Sequence, residues 1–170
     1  MRRHRSDPAF GRAGTIARHR YSAGGRTAAT TATTGDAIAT LWNPSTTKPI
    51  WLISYQYVTI DAVNSGRHSY QRITTRGTPG STITPDIDND WERYAAPASG
   101  ALIDLAAFSV QPTLATPFTA RWHVPTGTGE MPVFFYPIRP VKIPPGTGFA
   151  ATNPQASIAG AGDVTFEWME

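Results

Sequence analysis

The run Asp86-Ile87-Asp88-Asn89-Asp90-Trp91-Glu92 sets four carboxylates, Asp86, Asp88, Asp90 and Glu92, at every second position. Closely spaced carboxylates in a loop are what a calcium ion needs, because it takes six or more oxygen ligands. The helix–loop–helix calcium pattern fails here, since its sixth position is Trp91 rather than glycine and its twelfth is Pro97. The run therefore reads as a solvated acidic loop, with a second use open to it as a contact surface for a cationic segment.

The other chemically capable groups are scattered. His4, His19, His68 and His123 form no paired metal spacing, and the chain has no cysteine, so thiolate sites and disulfides are excluded. His123 falls on the outer side of an alternating stretch beside Arg121, the position of a solvated strand residue. No serine occupies a nucleophile-elbow context, and Pro144-Pro145-Gly146-Thr147-Gly148-Phe149 lacks the lysine of a phosphate loop. These observations predict no catalytic set, no metal and no cofactor.

Cationic charge is the exception to this scatter. Residues 1–35 carry Arg2, Arg3, Arg5, Arg12, Arg18, Arg20 and Arg26 against the single acid Asp7. The remainder holds eight basic and eleven acidic residues, so the basic character belongs to the start and not to the body of the chain. Residues 1–36 show almost no apolar periodicity, with Phe10, Ile16 and Tyr21 isolated among small and charged residues. A segment of this kind cannot bury enough surface to offset its ordering entropy. It is expected to be an extended arm, with a reach of roughly 115 Å.

The elements begin at Ala37. Fifteen prolines and fifteen glycines leave little room for long helices. Strands are expected at 37–43, at 50–60 (the strongest signal), at 68–75, at 101–110, at 118–124 and at 131–143 in two proline-broken pieces. Two more are expected at 148–152 and 163–170. In the 50–60 strand, Trp51, Ile53, Tyr55 and Tyr57 read as one face and Ile50, Leu52, Val58 and Ile60 as the other. Val164, Phe166 and Trp168 alternate inward in the last strand. Residues 76–100 read as a long surface excursion. Seven or eight short strands separated by turns predict an all-β, jelly-roll-like, two-sheet antiparallel sandwich over 37–170, preceded by the arm of 1–36.

Four uses of the arm compete: phosphate binding on nucleic acid, an organelle transit peptide, a solubilising tail, and docking on a partner. Few aromatics interleave its arginines and the body behind it is not basic, which counts against nucleic acid; docking is the reading taken forward. Arg2, Arg3, Arg5, Arg12, Arg18, Arg20 and Arg26 would then pair with carboxylates, and Phe10, Ile16 and Tyr21 would anchor. No apolar run approaches the roughly 20 residues of a membrane span, and the start has no apolar signal-peptide core.

A small cysteine-free sandwich, a long arm and the closing segment KIPPGTGFAATNPQASIAGAGDVTFEWME together resemble tailed-phage capsid decoration (cement) proteins and related minor virion proteins. The resemblance rests on that closing segment in pattern and on architecture elsewhere. It implies a non-enzymatic structural protein of the virion, seated on the capsid as a homo-oligomer, a trimer by preference. Its partners would be the major capsid protein or other virion subunits, and nucleic acid would be reached through the arm alone. Two rivals are a tail or fibre sandwich that binds a glycan or receptor through Tyr70, Trp91 and Tyr94, and a scaffold with a nucleic-acid-binding arm.

Overall fold

The computed structural model describes residues 19–28, 30–32, 36–60, 66–83, 85–87, 99–115, 120–124, 132–152 and 158–170. Among them are strands and no helix. The first half supplies β1 (Arg20–Arg26), β2 (Thr30–Ala32), β3 (Ala37–Asn43), β4 (Ile50–Thr59) and β5 (Gly66–Ile73). A middle stretch adds β6 (Ser81–Ile83), β7 (Asp86–Ile87) and β8 (Leu102–Leu105). Then come β9 (Ala120–Val124), β10 (Pro132–Phe135), β11 (Val141–Ile143) and β12 (Thr147–Thr152). β13 (Ile158–Gly160) and β14 (Gly162–Met169) complete the set.

The antiparallel pairs nest inside one another. β1 pairs with β14, β3 with β12, β4 with β10 and β11, and β5 with β9. Successive pairs fall in alternate sheets, and β14–β4 and β12–β5 ladders join them. The result is one sheet in the order β10-β4-β14-β1-β7 and a second in the order β6-β8-β3-β12-β5-β9. One long antiparallel ribbon rolled up on itself gives this order, which is the winding of a jelly roll. The expected all-β, two-sheet antiparallel sandwich is what forms.

Inward-facing aromatics fill the space between the sheets. Tyr55 lies 4.9 Å from Phe166 and 5.2 Å from Tyr70, ring centre to ring centre, and Tyr70 stacks on Phe149 at 5.8 Å. The last strand follows its sequence pattern, with Val164, Phe166 and Trp168 buried and Thr165, Glu167 and Met169 partly exposed. The strand at 50–59 does not follow a single alternation. Ile50 and Leu52 are buried, and so are Tyr55 and Tyr57, which the sequence pattern put on the opposite face. The reason is a register shift: Glu167 faces Ser54 but Trp168 faces Leu52, leaving Ile53 as the extra residue. A bulge of one residue reverses which side chains point inward.

The boundary expected between residues 36 and 37 is also corrected. β1 runs fully paired along β14 from Arg20↔Met169 to Arg26↔Asp163, and Tyr21, at 1% exposure, stacks on Trp168 at 5.9 Å. β2, from the small-residue tract assigned to the arm, pairs with β13 in a two-stranded ladder. Ser, Ala and Gly hide the alternation of RYSAGGR, and only the non-local partner β14 makes it a strand. The surface excursion of 76–100 is likewise partly structured. β6 joins β8, which joins β3, in the second sheet, and β7 joins β1 in the first.

A buried ion pair fixes the start of that excursion. Asp104, fully buried on β8, accepts from Arg76 Nε and Nη2, both at 2.7 Å, and from Thr82 Oγ1 at 2.6 Å. The hydrogen bonds to Asp104 raise the Arg76 pKa above its ordinary value. Two-pronged pairing of this kind satisfies the buried carboxylate and orients the strap geometrically.

Candidate functional site

Of the cationic and apolar residues expected to bind a partner, three lie in the sandwich itself. Arg26 Nε donates to Asp163 Oδ1 at 3.0 Å, directly across the β1–β14 ladder. Arg20 Nη2 donates to Glu167 Oε2 at 2.8 Å, where Ser54 Oγ also donates at 2.7 Å. Tyr21 is in the core. These three residues engage their own fold. Arg2, Arg3, Arg5, Phe10, Arg12, Ile16 and Arg18 lie outside the described residues. So do Asp88, Asp90 and Glu92 of the acidic run, whereas Asp86 opens β7 opposite Ser22.

Tyr70, expected to be available to a glycan, is fully buried among Tyr55, Phe135 and Phe149. Burial raises its pKa and that of Tyr55, because an ionised phenolate would lie in a dry core. Trp91 and Tyr94 lie outside the described residues. The β5–β9 register sets Arg67 opposite His123 and His68 opposite Trp122. Among the described residues no group of three His, Cys, Asp or Glu is arranged to hold a metal ion.

Two surface features stand out instead. The first is an apolar stripe where β10 runs towards β11. Phe134, Tyr136 and Ile138 are 46%, 67% and 103% exposed at alternate positions, and the rings of Phe134 and Tyr136 stack at 6.0 Å. Phe135, between them, points the other way and packs on Tyr70 and Phe149. Among the described residues β10 and β11 are paired only with β4, which makes this a sheet edge. Prolines in the strand pointed to an edge or a bend, since Pro132 cannot donate to a ladder. The stripe itself was legible as well, because alternation forces one of two consecutive phenylalanines outward.

The second feature is a cleft of about 590 Å3 at one end of the sandwich. One wall is the turn between β3 and β4, contributing Pro44, Ser45, Lys48, Pro49, Ile50 and Trp51. The other wall combines His19 and Tyr21 at the start of β1 with Gly100, Ala101 and Glu170. Hydrogen bonds make both walls stiff. Asn43, 1% exposed, donates from Nδ2 to the carbonyl of Lys48 at 2.9 Å and of Ile143 at 3.2 Å, and accepts from Ser45 N–H at 3.1 Å. Gly146, in the left-handed region at φ 64°, donates to the Asn43 carbonyl at 3.0 Å.

Opposite, the Glu170 carboxylate is enclosed by donors. Its Oε1 accepts from Ala101 N–H and Trp168 Nε1, both at 3.2 Å, and from Ser99 Oγ. Gly100 N–H approaches Oε2 at 3.4 Å. Sequence reasoning missed this site altogether, because its lining comes from four separated parts of the chain. Comparison with protein-family models, with curated proteins and with solved structures gave no match.

Proposed function

We propose that the protein is a non-enzymatic structural subunit of a virus particle, a capsid cement or decoration protein that works by attachment. The observation that carries this reading is the exposed stripe of Phe134, Tyr136 and Ile138 on a sheet edge. Three such side chains present on the order of 400 Å2 of mainly apolar surface, the size at which a patch is usually functional. A stable interface needs about 800 Å2 from each partner, so the stripe supplies about half of one.

Further contacts would come from residues 1–18, which keep five arginines against one acid after Arg20 and Arg26 are assigned to the sandwich. Two weak attachments on one chain reinforce each other through effective concentration. The jelly-roll winding is consistent with this role, although the same winding also serves lectins and cupins. The partners in this reading are further copies of the chain, as a trimer, together with the major capsid protein.

The test is the triple variant Phe134→Ser/Tyr136→Ser/Ile138→Ser, examined by sedimentation velocity and by co-sedimentation with particles. Self-association and particle attachment are expected to fall together, while thermal stability stays within about 0.5 kcal/mol because the three side chains are exposed. Attachment equal to that of the parent chain would overturn the reading.

A further inference from the structure

The cleft at the end of the sandwich is independent of the stripe, and its chemistry points to a ligand. At about 590 Å3 it falls within the 300–1,000 Å3 of small-molecule sites. Its lining is mainly apolar and includes Tyr21, Pro44, Pro49, Ile50 and Trp51, of which Pro44, Pro49 and Trp51 are the accessible ones. Both walls are held by hydrogen bonds that do not involve a ligand, so the shape exists beforehand and little ordering entropy opposes binding.

The charges at its rim are unequal. Glu170 contributes a carboxylate whose oxygens already accept from two backbone N–H groups, an indole N–H and a hydroxyl. Lys48 also lines the cleft, and among the described residues it forms no ion pair. These donors hold the Glu170 carboxylate in place, whereas no acid among the described residues is paired with Lys48. We infer that the cleft binds a small apolar carboxylate, its aromatic or aliphatic body lying against Trp51 and Pro49 and its carboxylate paired with Lys48.

The experiment titrates the full chain with 3-phenylpropionate and octanoate, and separately with their primary amides, by calorimetry and by chemical-shift perturbation. The acids are expected to bind with dissociation constants on the order of 0.1–1 mM, as ligands of about ten heavy atoms permit. The amides should bind more weakly by about threefold, the worth of one exposed charge pair. Lys48→Met keeps the aliphatic stem, and it should remove the preference for the acid while leaving the amides unchanged. Equal affinity for acid and amide, an acid preference that survives Lys48→Met, or no saturable binding would each overturn the inference. Because the stripe variant leaves the cleft intact, failure here and failure of the attachment reading are separable.

Discussion

Two strands of the first sheet make an instructive pair. β1 has the sequence RYSAGGR, with two arginines and two glycines, and it looks like part of a solvated arm. It is nevertheless paired with β14 along its whole length, with Tyr21 in the core. The stretch from β10 onward, PVFFYPI, carries the strongest apolar signal outside β4 and β14, yet it lies at an edge and exposes Phe134, Tyr136 and Ile138. The difference lies in neighbours, not in intrinsic preference. β1 is paired along its whole length with β14 and at Tyr21 and Ser22 with β7, and its inward residues Tyr21 and Ala23 are buried. Among the described residues β10 pairs with β4 alone, and Phe134 and Tyr136 remain exposed, stacked on each other. Strand propensity measures fit to a half-buried surface, and the surface is supplied by partners distant in sequence.

Truncation should break this comparison most forcefully. Removing residues 1–18 is expected to leave the melting temperature unchanged, because that stretch carries few apolar side chains to bury. Removing residues 1–26 deletes β1, uncovers Trp168 and the edge of β14, and should abolish cooperative unfolding in calorimetry. If both truncations melt alike, β1 is not integral to the fold.

A single substitution sharpens the point. Tyr21→Ala should cost about 3–5 kcal/mol in urea denaturation, the usual loss for a large buried aromatic. A cost near zero would mean that the Tyr21–Trp168 stack contributes nothing.

Alkaline titration probes the inner side of the β10 region, where Phe135 stacks on Tyr70 at 4.9 Å. Tyr70 and Tyr55 have raised pKa values through burial, so the folded state keeps protons that the unfolded state loses above about pH 10. Their stabilising share is complete below that pH and is lost as pH rises further, at about 1.4 kcal/mol per pH unit for each tyrosine. Denaturant midpoints should therefore be flat to about pH 9.5 and fall beyond it, and Tyr70→Phe should reduce the slope. A slope unaltered by that substitution would place Tyr70 in contact with water.

What was readable in the sequence follows a physical line. β3 and β14 announced themselves by apolar residues between turn signals, and Pro132 and Pro140 marked an edge or a bend because a proline cannot complete a ladder. In β4 the residue types were right but the facing was wrong beyond Ile53, since a bulge depends on the register against Glu167 and Trp168. β1, β2 and β7 were invisible because strands of two to seven small or charged residues acquire structure only from a partner. The cleft was invisible for the same reason: Tyr21, Lys48, Trp51 and Glu170 share no local pattern.

By itself the sequence determined the all-β class, the end of the fold in a buried Val164–Phe166–Trp168 strand, and the concentration of positive charge at the start. Each of these is a local property, a matter of period, turn chemistry or composition. The tertiary structure alone decided that Arg20, Tyr21 and Arg26 belong to the sandwich, which aromatics stay dry, and where a ligand could enter. Those outcomes depend on pairs such as β1 with β14, separated by most of the chain, and no window of neighbouring residues contains both partners.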